Sequence, residues 1–337
     1  MIKVGVIGFG YWGPNIARNF NQNADLEIIG IAELSEKRRA VARTIYPNIP
    51  IYNDAKSLIR ESRMDAVAII TPVSTHYELA KEALESGKHV LIEKPMTSSV
   101  AEAEKLIELA LKKNLTLMVD HTFVYSPAVR KIKEQLDNNE LGDLYYFDSV
   151  RINLGLFQQD VNVVWDLAPH DISIMQHLLN SKKVNYVCAQ GASHTPSGIE
   201  NIAYVTINFD NNFLAHFHVN WLAPTKIRRI LIGGTEKMLV FDDVQPSEKI
   251  KIYDKGITVT NGRESLYKTL IQYRIGDVYV PNIPNTEALK IETEHFVDCL
   301  SNGTACDSDG EDGLYVVKIL EAAQSSLDNN GSKIKID

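Results

Sequence analysis

Apolar residues in the first third of the chain fall into short runs that are separated by stretches with helical periodicity. The runs that we interpret as strands are 3–7, 26–31, 51–52, 65–70, 89–92 and 115–119. The helical segments between them are 14–21, 35–45, 56–60, 77–86 and 98–113. The fourth run is apolar after its first residue, which is typical of a parallel strand buried on both faces. Strands that alternate with helices in this way predict a doubly wound α/β domain with a parallel sheet.

The pattern changes after residue 122, where strands follow one another with few helices between them. The expected strands are 145–154, 184–190, 203–209, 213–221, 226–233, 237–241, 249–253 and 257–260, continued by a hairpin signal at Asn261-Gly262. The expected helices are 128–138, 164–179, 286–300 and 313–327, followed by a last short strand. We therefore expect an α/β domain over 1–122 and an α+β domain over 123–337 with a large, mostly antiparallel open sheet. An open sheet commonly buries its flat face against another subunit, so we also expect a homo-oligomer.

The turn after the first strand carries the pattern G-x-G-x-x-G, at Gly8-Phe9-Gly10-Tyr11-Trp12-Gly13. The first glycine permits a tight turn, the second lets the backbone approach a pyrophosphate, and the third lets helix and strand pack closely. The helix that follows presents unpaired N–H groups and a partial positive charge to phosphates. The second strand ends at Glu33, where an acidic residue can accept hydrogen bonds from ribose hydroxyls. We predict a Rossmann-type dinucleotide-binding domain in which all six turn residues and Glu33 contact the cofactor.

The residues at and after Glu33 also bear on which dinucleotide binds. A carboxylate would repel the 2′-phosphate of NADP and therefore favours NAD. Lys37, Arg38 and Arg39 follow closely, and their positive charges could offset that repulsion. We predict NAD as the cofactor, with NADP as the less favoured alternative.

The composition is that of a soluble globular protein. The chain has 337 residues, of which 45% are hydrophobic and 23% are charged, so it is long enough for two domains with real cores. Its 35 basic and 43 acidic residues give a net charge of −8, which argues against nucleic acid or an anionic membrane as a partner. No apolar run is long enough to span a membrane, and Met1 leads directly into a strand. Cys188, Cys299 and Cys306 are few, odd in number and widely spaced, as expected of thiols in a reducing cytoplasm, where we expect this protein.

Candidate metal ligands are sparse. His216 and His218 would share one face of a strand but have no evident third ligand. The acidic stretch 307–313 has Asp312 where a calcium loop needs glycine, so we interpret it as a capped turn before the last helix. We predict no metal site.

Two further loops of the first domain lie at the carboxyl ends of strands, where open α/β sheets bind their ligands. Thr71, Pro72 and His76 follow the fourth predicted strand, and Glu93-Lys94-Pro95 follows the fifth. Together with the glycine turn, these residues resemble the Gfo/Idh/MocA oxidoreductases, the glucose-fructose oxidoreductase and inositol dehydrogenase family. The resemblance covers nearly the whole chain and implies a dimer or tetramer built through the sheets of the second domain. We predict that the cofactor contacts also include Thr71, Pro72, His76, Glu93 and Lys94.

The helix that interrupts the strands of the second half carries a further candidate group. Asp166 and His170 are four residues apart, so on a helix they share one face, and Pro169 is tolerable only near the first turn. In the family, an Asp-x-x-x-His at the domain junction completes the catalytic group begun by the lysine of Glu-Lys-Pro. The resemblance therefore implies a catalytic group of Lys94, Asp166 and His170. Taken alone, each of these residues would be interpreted as a solvated surface residue, and only their joint occurrence favours catalysis.

These residue types suit the oxidation of a secondary alcohol by a nicotinamide. The hydroxyl proton must leave as the C–H bond breaks, and histidine, with an ordinary pKa of about 6.5, is suited to accept it. We assign that role to His170, and orientation of the imidazole or of a neighbouring hydroxyl to Asp166. Lys94 would stabilise the developing alkoxide and, like the other two residues, would contact the substrate.

Two residues of the first strand in the second domain are candidates for further substrate contacts. Arg151 and Asn153 lie on the same strand face and could hydrogen-bond a polyol or sugar. They could equally be exposed sheet residues.

The predicted activity is that of an NAD(P)-dependent dehydrogenase acting on a ring hydroxyl of a sugar. The helix around Asp166 and the tail segment 292–296 look most similar to family members that act at C3 of nucleotide-linked amino sugars, such as UDP-N-acetylglucosamine or its uronic acid. An inositol, another cyclitol or a free sugar is the alternative substrate, and reduction of a keto-sugar would use the same site in reverse. A non-catalytic sensor of the same fold is a further alternative, against which the retention of the three catalytic residues argues.

Overall fold

The computed structural model describes residues 1–155, 160–179, 183–260 and 270–336, with the backbone alone for 257–260 and 270–273. The chain forms two compact units. The first comprises Met1–Ser126 and Thr286–Glu321, and the second comprises Pro127–Asn285 and Ala322–Asp337. The segment Thr286–Glu321 therefore belongs to the first unit, whereas the sequence pattern places everything after residue 122 in one domain.

The first unit is built on a parallel sheet. Its strands are β1 (Ile2–Ile7), β2 (Leu26–Ala32), β3 (Ile51–Tyr52), β4 (Ala66–Ile69), β5 (His89–Glu93) and β6 (Leu117–Asp120). Its helices before residue 126 are α1 (Gly13–Gln22), α2 (Glu36–Ile45), α3 (Ala55–Ile59), α4 (His76–Glu85) and α5 (Val100–Lys113). The strand order is β3-β2-β1-β4-β5-β6, and every pairing is parallel. This confirms the doubly wound sheet, whose order reverses between β1 and β4.

Both faces of this sheet are buried. Successive side chains of a strand point to opposite faces, and in β4 the alternate residues enter two different apolar clusters. Ala66 and Ala68 pack in one cluster, and Val67 and Ile69 in the other. The carboxyl ends of the strands are thereby held by a core on each side.

The helices at the C-terminal end of the chain lie mostly in the first unit, where they cover the sheet. In helix α8, Ala288–Asn302, Phe296 stacks on Phe20 of α1 with ring centroids 6.2 Å apart and ring planes nearly parallel. In helix α9, Gly310–Asp328, Gly313 lies so close to β6 that an added Cβ would be 2.7 Å from Val119 Cγ2. The tail belongs to the first unit because its apolar residues complete the core over this sheet.

The second unit contains a nine-stranded sheet. The remaining strands are β7 (Leu144–Leu154), β8 (Val184–Ala192), β9 (Ile202–Phe209), β10 (Leu214–Asn220), β11 (Leu222–Gly234), β12 (Met238–Asp242), β13 (Ile250–Tyr253), β14 (Gly256–Thr260), β15 (Leu270–Arg274), β16 (Val278–Tyr279) and β17 (Ile334–Lys335). The order is β16-β13-β12-β11-β7-β10-β9-β8-β17. Strands β7 and β10 run parallel and the other neighbouring strands of this sheet run antiparallel, which confirms the large, mostly antiparallel sheet.

The strand expected at 257–260 is not part of the large sheet. It is β14, which pairs with β15 in a separate two-stranded sheet. The edge of β13 is taken by β16, with Ile252 opposite Tyr279. The hairpin signal at Asn261-Gly262 lies outside the described residues.

The nine-stranded sheet has one covered face and one open face. The second unit's helices are α6 (Pro127–Asp137) and α7 (Val163–Leu179), and α7 packs on β7, β9 and β10. Strand β10 shows the alternation: Ala215, Phe217 and Val219 are buried, whereas His216 and His218 lie on the other face. None of the helices in the described ranges is both long and apolar enough to cross a membrane.

Candidate active site

The glycine turn after β1 has the geometry that its sequence predicts. Gly8 has a φ of +96°, and a Cβ there would lie 2.1 Å from the carbonyl oxygen of Ile70. A Cβ on Gly13 would lie 2.3 Å from the carbonyl oxygen of Gly8. Both positions are closed by backbone, so a side chain at either would force the turn apart. Gly10 differs, because its added Cβ would meet only the end of the flexible Arg38 side chain, at 2.8 Å from Nη1.

The start of α1 is left open for an anion. Trp12 occupies the N-cap position without a capping hydrogen bond from its side chain, and the first turn contains no acidic residue. Pro14 supplies no N–H and the N–H of Asn15 donates to the Trp12 carbonyl oxygen at 2.8 Å, so it is mainly the helix dipole that favours a negative group here. The turn and this helix end therefore fit the pyrophosphate of a dinucleotide.

Glu33 lies beside the glycine turn. Its Oε2 accepts a hydrogen bond from the backbone N–H of Phe9 at 2.7 Å, and its Oε1 accepts one from Ser35 at 2.8 Å. Each carboxylate oxygen has a second lone pair, so the group can still accept from ribose hydroxyls. Two cations lie near this acid: Arg39 donates to the carbonyl oxygens of residues 33 and 34, and Arg38 is exposed over the turn.

The other side chains of the turn point in different directions. Phe9 is buried and its ring packs edge-on against Tyr46, whereas Tyr11 is exposed. The indole N–H of Trp12 donates to Asp120 Oδ2 at 2.8 Å. The turn is thus joined to the end of β6 by a polar contact that sequence spacing does not reveal.

His76 holds together the loops that follow β4 and β5. Its Nδ1 lies 3.0 Å from the Pro95 carbonyl oxygen and its Nε2 lies 2.8 Å from the Thr71 carbonyl oxygen. Burial lowers the pKa of His76, so the neutral ring donates to one of these two oxygens. His76 thus links the two loops through its ring nitrogens. Its direct contact with the cofactor remains a prediction. Thr71 and Pro72 are the other predicted cofactor contacts in this loop. The Thr75 hydroxyl donates to the Thr71 hydroxyl at 2.7 Å, and Pro72 is exposed.

Glu93 and Lys94 lie at the end of β5, where little solvent reaches them. Their side chains are 17% and 13% exposed, and Lys94 Nζ lies 4.0 Å from Glu93 Oε1. The Lys94–Pro95 peptide bond is cis. Glu93 is paired in register with Asp120 on β6, so the loop after β5 and the end of β6 are side by side.

Three buried polar residues beside Lys94 were not assigned a role from sequence. They are Asp120 and His121 at the end of β6 and Glu292 on α8, each at most 2% exposed. Burial lowers the pKa of His121 to about 4, and neither ring nitrogen has a hydrogen-bond partner among the described groups. The position of Asp120-His121 at a strand end is visible in the sequence, but Glu292 looks like one more helix residue until the tail is placed on the first sheet.

The second unit supplies the other half of the predicted catalytic group. Helix α7 begins after Asn162, whose Oδ1 accepts from the N–H groups of Val164 and Trp165 at 3.1 and 3.2 Å. Asp166 and His170 are one turn apart on this helix, and both are half-buried. Asp166 Oδ2 accepts from the indole N–H of Trp221 at 2.9 Å, which fixes the carboxylate.

Pro169 lies farther into α7 than we expected. The helix starts at Val163, so Pro169 is in its second turn rather than its first. Proline has no N–H for the carbonyl oxygen of Trp165, four residues earlier. The Asn162 cap and the packing of the helix on the sheet support it in spite of that loss.

Arg151 is buried, which excludes its interpretation as an exposed sheet residue. It is 3% exposed and forms a two-point ion pair with Asp171, with Nη2–Oδ1 at 2.6 Å and Nε–Oδ2 at 2.9 Å. The Ser149 hydroxyl donates to the same carboxylate at 2.7 Å. Asn153 is half-buried on the same strand face. Arg151 thus anchors α7 to β7 directly beside His170, and substrate contact by either residue remains a prediction.

The structure therefore groups the predicted residues within each unit. The glycine turn, Glu33, His76 and Lys94 border the carboxyl ends of the first sheet, and Asp166, His170 and Arg151 lie along α7 and β7. No group of three potential metal ligands occurs among the described residues. The acidic stretch 307–313 caps the last helix, as expected: Asp309 Oδ1 accepts from the N–H groups of Glu311 and Asp312 at the start of α9.

Comparison with known proteins gives the family. Residues 2–121 match the sequence model of the oxidoreductase family with an NAD-binding Rossmann fold, and residues 129–240 match the Gfo/Idh/MocA C-terminal domain. UDP-N-acetylglucosamine 3-dehydrogenase from Acidithiobacillus ferrooxidans is 27% identical over 94% of this chain and 94% of its own. Myo-inositol 2-dehydrogenase from Thermotoga maritima is 24% identical over 98% of each chain.

A solved structure supports the same fold. The structure of UDP-N-acetylglucosamine 3-dehydrogenase from A. ferrooxidans superposes with a TM-score of 0.81 at 23% identity, over 97% of this chain and 98% of that one. One family match lies in each unit, and the glycine turn, Lys94, Asp166 and His170 are inside them. The protein belongs to the Gfo/Idh/MocA family of nicotinamide-dependent oxidoreductases.

Proposed function

We propose that the protein is a dehydrogenase that oxidises a ring hydroxyl of a sugar, and that its substrate is a UDP-linked amino sugar or its uronic acid, oxidised at C3. The observation that carries the proposal is the retention of Lys94 after β5 together with Asp166 and His170 on one face of α7. The relative that is 27% identical supports the nucleotide-sugar assignment. The inositol dehydrogenase at 24% identity makes a cyclitol the second candidate.

In this proposal side chains of the protein accept the hydroxyl proton and stabilise the alkoxide, and the bound cofactor accepts the hydride. His170 accepts the hydroxyl proton at an imidazole nitrogen. The Trp221 indole fixes the Asp166 carboxylate one helical turn from that ring. Asp166 orients either the imidazole or a second hydroxyl of the sugar. Lys94 stabilises the alkoxide, and its low exposure makes the charge more effective than it would be in water.

Separate measurements of chemistry and binding test these roles. We expect Lys94→Ala and His170→Ala each to lower kcat by about 10²- to 10⁴-fold and to change dinucleotide affinity far less, because both side chains act on the reacting hydroxyl. Lys81→Ala is the matched control, since Lys81 lies over the Tyr77 ring on α4 and has no part in the site. Undiminished turnover in either site variant would defeat the assignment.

A substrate panel distinguishes the candidate functions. The purified protein with cofactor is mixed with UDP-N-acetylglucosamine, its uronic acid, several cyclitols and free hexoses, and both thermal stabilisation and nicotinamide reduction are recorded. We expect both signals with a UDP-sugar. Turnover with a cyclitol alone would favour the second candidate, and dinucleotide binding with no oxidation of any panel member would favour a sensor.

We propose NAD as the preferred cofactor, because Glu33 accepts hydrogen bonds beside the glycine turn and would repel a 2′-phosphate. The prediction is that Glu33→Gln raises NADP affinity relative to NAD by roughly tenfold, or about 1.4 kcal/mol, since Arg38 is then left without an opposing charge. Dissociation constants of both cofactors measure this shift. Glu36→Gln is the control, because Glu36 is an exposed partner of Arg39 and Arg43. An unchanged ratio would show that Glu33 does not set the preference.

A further inference from the structure

Three carboxyl groups meet at the ends of β5 and β6 under the start of α1. Glu93 and Asp120 are register neighbours on the two strands, and Glu292 reaches them from α8. Asp120 is 2% exposed and Glu292 is 1% exposed. Helix α8 packs on the segment Thr122–Tyr125 that follows β6, and Thr122 donates to Asp120, so the Glu292 carboxyl group lies beside that of Asp120.

The hydrogen-bond donors around this pair all go to Asp120. Its Oδ2 accepts from the Trp12 indole at 2.8 Å, and its Oδ1 accepts from the Thr122 hydroxyl. Thr122 also faces Glu292, but it donates its single hydroxyl proton to Asp120, and neither oxygen of Glu292 has a donor among the described groups. Two carboxyl groups in contact repel each other when both are ionised, and they bind each other when they share one proton. The buried Glu292 carboxyl group, which has no donor and lies next to Asp120, therefore carries a proton.

The charged groups around Glu292 also favour its protonated form. Burial, and next the charges of Asp120 and Glu93, raise the pKa of Glu292 well above its usual range. Tyr125 faces it from the loop after β6 and stays neutral, because burial raises the pKa of its hydroxyl. His121 is neutral at pH 7, and the cation that faces His121 and Glu93 in the described part of the chain is Lys94. With Glu292 ionised, three carboxylates would face one ammonium group.

The position of the pair is that of the nicotinamide half of the site. The pyrophosphate fits the glycine turn after β1, and Glu33 takes the adenosine side at the end of β2. The other half of a dinucleotide must then extend over the ends of β4, β5 and β6, where the acid pair lies. The oxidised nicotinamide ring carries a positive charge and the reduced ring carries none.

We propose that Asp120 and Glu292 form a buried proton-binding site whose proton occupancy depends on the charge of the bound cofactor. The pair holds one proton in the free protein and releases it from Glu292 to solvent when an oxidised nicotinamide dinucleotide binds, whereas the reduced form leaves the proton in place. The inference rests on the dinucleotide binding that the proposed function requires, and it is independent of the sugar.

The sign of the pH dependence follows from this linkage. The cation lowers the pKa of Glu292 from its raised value toward the ordinary range for a carboxyl group. Between these two pKa values, binding releases a proton, so affinity for the oxidised cofactor rises with pH by up to about tenfold per pH unit. Above and below this window the affinity is independent of pH. Affinity for the reduced cofactor has no such window.

Titration calorimetry in buffers of different ionisation enthalpy counts the protons released when NAD⁺ or NADH binds. At pH 7 we expect the wild-type protein to release close to one proton with NAD⁺ and none with NADH. Glu292→Gln, which keeps the shape and a donor for Asp120, is expected to release none with either. Glu287→Gln is the matched control on the same helix, since Glu287 is a surface partner of Arg18, and it is expected to behave as the wild type.

Infrared difference spectra provide a second measurement that needs no variant. The carbonyl band of a protonated carboxyl group should disappear when NAD⁺ is added to the wild-type protein and persist when NADH is added. NAD⁺ binding without proton release, or equal release from Glu292→Gln, overturns the inference and leaves the proposed function standing. Failure to bind any nicotinamide dinucleotide overturns both.

Discussion

The three glycines of the turn meet different neighbours, although the sequence motif treats them alike. Gly8 and Gly13 are surrounded by carbonyl oxygens of the backbone, whereas Gly10 faces the movable end of Arg38. The first two are therefore needed to form the turn, and the middle one is needed to leave room for a ligand. This difference gives a test that separates folding from cofactor binding.

We expect Gly10→Ala to leave the free energy of unfolding nearly unchanged and to weaken dinucleotide binding. Gly13→Ala should lower both, with a loss of about 1–3 kcal/mol in stability, because its Cβ would lie 2.3 Å from the Gly8 carbonyl oxygen. Urea unfolding and cofactor titration of the two variants measure the two quantities. A Gly10→Ala protein that binds cofactor as tightly as the wild type would contradict the pyrophosphate assignment.

Among the secondary-structure elements, α7 determines how the second unit presents its candidate residues. The Asn162 cap fixes where the helix starts, and the Arg151–Asp171 ion pair fixes its rotation over β7. These contacts place the backbone of Asp166 and His170, and the Trp221 indole then fixes the Asp166 carboxylate. The ion pair is thus expected to serve the site through the position of the helix.

We expect Asp171→Asn or Arg151→Met to cost about 3–5 kcal/mol of stability, because each removes the two-point partner of a buried charge and leaves the less direct charge of Arg228 or Asp243 to offset it. Glu134→Gln is the control: it breaks the Lys131–Glu134 pair, which is largely in solvent on α6, and should cost less than about 1 kcal/mol. Chemical denaturation of the variants measures these differences. A raised KM with unchanged stability in Arg151→Met would instead show that Arg151 contacts the substrate.

At the scale of the whole molecule, the open face of the nine-stranded sheet is the proposed oligomer interface. Opposite α7, this face carries Tyr204, whose ring stacks on His218 at 4.5 Å between ring centroids. Tyr204 is 44% exposed and Leu214 is 42% exposed, so apolar surface is presented to solvent in the single chain. Burying that surface against the same face of a second chain would form a symmetric pair.

We expect the wild-type protein to be a dimer or tetramer in solution and Tyr204→Lys to dissociate it, because the new ammonium group would be buried beside two histidines. Leu111→Lys, an equally charged change at an exposed apolar position on α5, should leave the assembly intact. Sedimentation velocity measures the assembly size of each. A monomeric wild-type protein would refute the interface.

The sequence predicted those features that depend on neighbours along the chain. The spacing from the glycine turn to Glu33 and the four-residue step from Asp166 to His170 are local, and the alternation of strands and helices predicted the parallel sheet. The cap at Asp309 was visible for the same reason. Each is set by backbone periodicity, which the order of residues encodes directly.

Tertiary structure alone decided which distant segments meet. An apolar stripe shows that a helix is buried but not which core it covers, so the return of α8 to the first sheet could not be foreseen. That return brings Glu292 to Asp120 and Trp12, just as the packing of α7 brings Asp171 to Arg151. Buried polar groups acquire their pKa and their partners from packing, because desolvation and hydrogen bonding depend on what surrounds a side chain in space rather than in sequence.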